Sequence, residues 1–218
     1  EKILGYAHEM TRMPAGILNI VDGMIVRKSD GRELLSMEEL ALEAFYSLSH
    51  SQHITAESTY QIKSNAYSFG CTVAEVEVDI EACKVKLVDA VNVHDCGRLI
   101  NPALAKAQVH GGMSMGIGYG LSECLKFDPK TGKTLNGTLL DYKLSTTMDH
   151  PELKADFVEN YEPTSAYGTK ALGEPPVCSV APAIRNAVFN ATGVGVDTLP
   201  LSPHVLFEEF RKGGLLDV

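Results

Sequence analysis

The sequence predicts an α+β protein of antiparallel strand pairs with buried helices, and three observations point there. Glu75, Glu77 and Asp79 alternate with Val76, Val78 and Ile80; this period of two leaves one strand face wet and the other buried. Val85, Leu87, Val91 and Val93 follow after a turn at Glu81–Cys83, which predicts an antiparallel partner with its charges on the solvent side. Ala103–Leu121, by contrast, is apolar almost all round, and a helix of that kind must be buried. Paired strands mixed with separate helices exclude a doubly wound sheet.

The remaining elements follow in order. Lys2–Met10 reads as the tail of a helix already in progress. With Glu1 rather than methionine at the start, a piece of a longer polypeptide is expected. Ile17–Ile20 and Met24–Arg27 flank Asp22-Gly23, a two-residue hairpin signal because both positions tolerate positive φ. Ser36 with Glu39 three residues on forms a capping box that starts an amphipathic helix through about Leu48. His50 to Tyr60 is a polar connection, and the expected division is a segment 1–63 followed by a region 64–218.

Asn101-Pro102 supplies an N-cap and an N1 proline for the apolar helix. Gly112, Gly116 and Gly120 lie on one of its faces, a stripe without side chains that admits either a neighbouring backbone or a bound molecule. Asp128-Pro-Lys-Thr-Gly132 is a turn, Thr138–Thr147 is expected to be extended, and Met148–Pro163 irregular to short strand. Pro176–Thr192 is expected to be one helix kinked by Pro182. Ser202-Pro203 is expected to cap a last helix, Pro203–Lys212, which Gly213-Gly214 ends.

Composition excludes several functions. The 218 residues carry 19 basic and 28 acidic side chains, a formal charge of −9. With no Lys/Arg cluster, a nucleic-acid or anionic-membrane partner is not expected. No apolar run approaches the roughly 18 residues that span a bilayer, and no signal-peptide pattern opens the chain. The 5 cysteines are far apart without a CxxC pair, which favours reduced cytoplasmic thiols over a disulfide framework or a zinc site.

One stretch carries chemistry. Gly168-Thr-Lys-Ala-Leu-Gly-Glu-Pro-Pro176 sets a single carboxylate, Glu174, between a glycine and two prolines at the mouth of an apolar run. Gly173 permits close backbone approach and the prolines fix the following φ angles. Two readings stand: a rigid mount for an acid/base residue, or a solvated glutamate favoured by the helix N-terminus behind it. His94 and Asp95 form no triad, since no GxSxG serine exists. These two and His110 are read as capping or core hydrogen-bonding residues, and Cys96 and Cys178 as small buried ones. Gly116-Ile-Gly-Tyr-Gly120 lies inside a helix and is rejected as a dinucleotide loop.

His94-Asp-Cys-Gly-Arg-Leu-Ile-Asn-Pro102, followed by Gln108-Val-His-Gly-Gly112 and Gly116-Ile-Gly-Tyr-Gly-Leu-Ser-Glu123, resembles the central signature of the molybdenum hydroxylases, the xanthine dehydrogenase and aldehyde oxidoreductase family. Lys170-Ala-Leu-Gly-Glu-Pro-Pro176 resembles that family's catalytic-glutamate motif, in the right order and spacing. The resemblance runs over essentially the whole chain, weakest before Ala66 and strongest from Glu75 to Thr192.

It implies the molybdenum-cofactor-binding domain of the xanthine dehydrogenase type, from the carboxy-terminal part of the molybdopterin-binding subunit. Family enzymes hydroxylate a heteroaromatic or aldehyde carbon with water as oxygen source. By similarity Glu174 is the general base toward a molybdenum-bound hydroxide. Gln108 hydrogen-bonds the cofactor, its bland alternative being a solvated helix glutamine, and the backbone of Lys170, Ala171, Leu172 and Gly173 lines the pterin site. No side chain is assigned as a metal ligand, because the family holds molybdenum by the pterin dithiolene. Iron–sulfur clusters and FAD are implied on other domains or subunits. The implied partners are the rest of the molybdenum subunit, these redox subunits and a small-molecule substrate, in a cytoplasmic homo-oligomer.

Departures matter too. Family subunits are several times longer, and the upstream glycine-rich segments, including a GQG-like stretch, are not in this sequence. The isolated chain is therefore expected to bind cofactor poorly and to be inactive. The rival reading is a non-catalytic cofactor-scaffold or assembly domain, or one chain of a split molybdenum subunit. Against a pure scaffold stands the proline-braced Glu174 together with Gln108.

Overall fold

A computed structural model of the chain describes residues 1–48, 51–62 and 64–217. The expected connection from His50 and the expected boundary at residue 63 begin and end on residues outside that set. The described chain divides into two compact units, Glu1–Tyr60 and Gln61–Val218.

In the first unit a helix α1 (Lys2–Thr11) precedes a three-stranded antiparallel sheet of β1 (Leu18–Val21), β2 (Met24–Arg27) and β3 (Glu33–Ser36), in that order. Asp22 and Gly23 adopt φ of 48° and 79°, the pair of positive values that a tight hairpin demands. Helix α2 (Met37–Tyr46) starts at the expected capping box, where Ser36 Oγ accepts from the Glu39 amide at 3.0 Å and Glu39 Oε2 from the Ser36 amide at 2.7 Å. It ends two residues before Leu48. The sequence reading lacks β3, because Glu-Leu-Leu-Ser has neither alternation nor length. Leu18, Ile25, Leu35 and Leu40 bury themselves with Tyr6 as this unit's core.

The second unit contains β4 (Phe69–Asp79), β5 (Lys84–Asp95) and β6 (Leu153–Phe157), in sheet order β4-β5-β6. The β4–β5 pair is antiparallel as expected, whereas β6 runs parallel to β5, so the sheet is mixed. One irregularity has a long reach. Glu75 pairs with Asp89 but Val76 with Leu87, which leaves Val88 as a bulge. An extra residue flips every following side chain to the other face. Leu87 faces the core, but beyond the bulge Ala90, Asn92 and His94 do so, at 1%, 0% and 1% exposure. The expected inward Val91 and Val93 are only half-buried, and two polar side chains take their place.

Helix α3 (Pro102–Leu121) is capped by Asn101, whose side chain accepts from the Leu104 amide at 3.1 Å. It is buried along one face only. Val109, Met113 and Ile117 are enclosed while Leu104 and Met115 are exposed, because the chain supplies packing partners on one side alone. The expectation of burial all round is therefore corrected. The enclosed face includes the glycine stripe. A Cβ at Gly112 would lie 2.5 Å from the Pro176 Cβ, and one at Gly116 2.6 Å from the Val180 Cβ. The stripe is a seat for protein, not for a bound molecule.

That protein is α4 (Pro175–Cys178) followed by α5 (Val180–Thr192). The expected single helix is broken at Ser179. Pro182 has no N–H for the carbonyl four residues earlier, at Cys178, and its ring crowds that carbonyl, so the helix interrupts just behind it. Thr138–Thr147 is not extended. It opens with a turn in which the Tyr142 amide donates to the Thr138 carbonyl at 2.8 Å. Helix α6 (Pro203–Lys212) ends at Gly213 as expected, although the Ser202 side chain makes no cap. Ile184, Val188, Leu206 and Phe210 pack with Val109 and Ile117 in the core. Among the described residues no helix is long and apolar enough to cross a membrane.

Candidate active site

Past a 3₁₀ turn at Ala166–Gly168, the segment to Glu174 has no regular structure, so its shape depends on what holds it. The Arg98 amide donates to the Gly168 carbonyl at 2.9 Å and the Lys170 amide to the Cys96 carbonyl at 2.7 Å, with a bridge between Gly97 and Thr169. Gly97 has φ +70°, and a Cβ there would stand 2.3 Å from the Gly168 oxygen, so only glycine admits this approach. Ser68 Oγ donates to the Ala171 carbonyl at 2.6 Å and Gln108 Nε2 to the Gly173 carbonyl at 3.0 Å. Asn92, turned inward by the β5 bulge, donates from Nδ2 to the Pro176 carbonyl at 3.1 Å. Thr72 and Ser179 share a hydroxyl hydrogen bond at 2.6 Å.

The side chain of Lys170 is fixed as well. Its Nζ lies 2.6 Å from Asp95 Oδ2, with Lys170 and Asp95 side chains 4% and 12% exposed. Asp95 Oδ1 also accepts from the Gly97 amide at 3.0 Å. Burial pushes the Asp95 carboxyl up, but the Lys170 ammonium, the Gly97 amide and Asn160 outweigh it and hold it below the usual carboxylate value. Burial lowers His94 and the Phe69 backbone beside it opposes the shift; among the described residues neither ring nitrogen has a fully formed hydrogen bond. The ring sits in the core against Gly70, whose absent Cβ would otherwise meet it at 2.4 Å. His110 Nε2 is likewise buried without a partner.

Alternate residues of the loop face opposite sides. Ala171, Gly173 and Glu174 wall a cleft of about 650 Å³ with Tyr67, Ser68 and Gly70. Lys170 and Leu172 border a smaller one of about 300 Å³ with Arg98, Asn101, Leu104 and Gln108. Gln108 and the Glu174 loop therefore touch, but from opposite sides of a one-residue-thick wall, so the amide and the carboxylate border different clefts. Gln108 gives one Nε2 hydrogen to Gly173, and its side chain is otherwise exposed.

Glu174 is exposed at the start of α4, and among the described residues its carboxylate makes no hydrogen bond or ion pair and does not cap the helix. Cys178, expected to be buried, is exposed on the outer side of the short α4 and borders the same cleft. The opposite wall from Tyr67 to Gly70 escapes sequence reasoning, because small polar residues ahead of a strand carry no distinguishing signal. A further cavity, about 790 Å³ between β5, α3 and residues 143–151, touches none of the expected site residues.

Residues 1–151 match the sequence profile of the molybdopterin cofactor-binding domain. The chain belongs to that family. It is 48% identical over 217 residues to the putative xanthine dehydrogenase molybdenum-binding subunit of Escherichia coli strain K12, covering 99% of this chain and 29% of that subunit. The chain thus spans less than a third of the curated relatives it matches. Aldehyde oxidoreductase from Desulfovibrio gigas superposes with a TM-score of 0.59 at 30% identity, over 66% of this chain and 15% of that one. CO dehydrogenase from Oligotropha carboxidovorans superposes with a TM-score of 0.79 over 98% of this chain and 27% of that one; at 24% identity this is a likeness of fold. The mixed helix-and-sheet architecture is accordingly that of molybdenum-cofactor-binding domains.

Proposed function

We propose that the chain forms part of the catalytic subunit of a molybdenum hydroxylase, with Glu174 as its general base. The observation that carries this reading is a carboxylate left unpartnered on a loop that is itself tethered at five points and borders an open cleft. A glutamate whose task was structural would be engaged by the donors around it. Here those donors hold the backbone on either side and leave the carboxylate oxygens for a proton.

The residues present fit a pterin-bound molybdenum group. The amides of Ala171 and Gly173 have no protein acceptor among the described residues, and Gly173 has open space where a Cβ would stand. Donors on a wall without bulk suit a polar, acceptor-rich ligand. The backbone of Lys170–Gly173 would line the group, and Gln108 would support it, holding Gly173 from behind with one end of its amide. When bound, the group supplies the electron-accepting capacity for oxidising a heteroaromatic or aldehyde carbon with water as oxygen source. Glu174 then accepts and releases the proton at its carboxylate, while the tethers keep that carboxylate at a fixed height above the cleft.

Electron transfer onward would require iron–sulfur and flavin subunits or domains, and the working form would be a cytoplasmic homo-oligomer. The five unpaired thiols agree with a reducing compartment. In the full-length enzyme, Glu174→Gln should lower turnover about 10²–10⁴-fold while molybdenum content stays near normal. Retained turnover with full metal content defeats the assignment.

A further inference from the structure

We infer that the buried Asp95–Lys170 ion pair is a lock that positions Glu174, and that the Lys170 side chain takes no direct part in binding the cofactor. The inference rests on the reading of Glu174 as base and adds the device that aims it. Among the described residues this is the ion pair with both side chains enclosed, at 4% and 12% exposure; every other pair has both partners at 28% or more. Taking two charges out of water costs more than their attraction readily returns, so such a pair is a poor device for stability and a good one for fixing geometry.

Its two ends sit where a lock is needed. Asp95 closes β5 and is itself oriented by the Gly97 amide at 3.0 Å and Asn160 Nδ2 at 3.4 Å. Lys170 lies four residues before Glu174. Its amide is held by the Cys96 carbonyl at 2.7 Å, and its Nζ stands 5.7 Å from the centre of the Phe69 ring as well as on Asp95. The ammonium is thus committed inside the protein and is not offered to a ligand phosphate. The remaining tethers on this stretch are single neutral hydrogen bonds, from Ser68 and Gln108 and between the backbones of Arg98 and Gly168 and of Lys170 and Cys96. A charge-assisted bond is about twice as strong as a neutral one. Without the pair, the loop hangs from its weaker supports.

The full-length, molybdenum-loaded enzyme carrying this segment provides the test, in wild-type and Glu174→Gln backgrounds. Lys170→Met should lower kcat by about 10²-fold with KM and molybdenum content nearly unchanged, since a misplacement on the order of 1 Å costs that much. In the Glu174→Gln background the same substitution should change the residual rate by less than about twofold, because a positioning residue has nothing left to aim. Lys170→Arg should recover part of kcat.

In the metal-free protein, amide exchange across residues 168–174 should rise at least about tenfold in Lys170→Met while α3 and β5 keep their protection. If Lys170→Met fails to fold because Asp95 is left unpaired, the double variant Asp95→Leu/Lys170→Met carries the same measurements. An equal loss of rate in both backgrounds, or unchanged exchange in the loop, overturns the lock. Should Glu174→Gln itself retain turnover, the base assignment fails, and loop exchange in the metal-free protein still decides whether the pair holds the segment.

Discussion

The loop at 168–174 and the longer excursion from Ser122 to Pro151 both lie outside the α-helices and sheets, yet their hydrogen bonds run to different places. Beyond local bonds at Gly168 and Thr169, partners of the first are far away in sequence: Ser68 reaches Ala171 across 103 residues, Lys170 reaches Asp95 across 75 and Gln108 reaches Gly173 across 65, while Asn92 reaches Pro176 just past the loop across 84. The excursion is held mostly by itself. Asp128 accepts from the Lys130 and Thr131 amides, Asn136 donates to Cys124, and Asp149 accepts from Thr146. Local turns fix local shape but do not fix where a segment stands relative to the rest of the fold. Long-range bonds do, since each ties the loop to an element with its own core packing. The segment that presents Glu174 has the second kind of support. The one that exposes Leu139, Leu140 and Met148, at 79%, 83% and 91%, has mainly the first.

The largest effect expected from this difference is at Gly97. Gly97→Ala places a Cβ against the Gly168 carbonyl in a left-handed backbone. The strain and the clash together should cost about 3 kcal/mol, read as a lower urea midpoint, and should carry Glu174 out of place. A destabilisation confined to a few tenths would mean that the loop yields easily and that its long-range support is nominal.

A smaller, pH-dependent effect separates the excursion. The Lys130 and Thr131 amides hold the Asp128 carboxyl below the ordinary carboxylate value. The folded value lies below the unfolded one of about 3.9, so this stabilisation is complete above it and is lost as pH falls through the folded value. Asp128→Asn should therefore flatten the fall of melting temperature with acid while leaving turnover at neutral pH unchanged. Altered neutral turnover would show that the excursion communicates with the Glu174 cleft after all. Smallest of all, Leu140→Ser on the exposed part of the excursion should stay within about 0.5 kcal/mol of wild type in the same urea measurement.

Much of the frame was legible because it is written locally. Asp22-Gly23, the Ser36–Glu39 box and Asn101-Pro102 each satisfy nearby backbone groups, so neighbours in sequence suffice to read them. The Glu174 loop was legible as a carboxylate braced by glycine and prolines. What stayed hidden has a common cause. Nothing in Val85–Val93 announces that Val88 will be squeezed out as a bulge, because a bulge is a property of the pairing with β4 and not of β5 alone. Cys178 was misplaced for the same reason, since its exposure depends on where a kink turns one short helix.

By itself the sequence determined the periods, caps and turns, and with them an α+β chain carrying one conspicuous carboxylate. Only the tertiary structure decided that the glycine stripe of α3 seats α4 and α5, that Gln108 grips Gly173 from the far side of the wall, and that Lys170 is committed to Asp95. Each of these is a contact between residues dozens of positions apart. Such contacts arise from which faces pack and in what register, and a one-residue shift in β5 is enough to exchange Val91 and Val93 for Asn92 and His94 at the core.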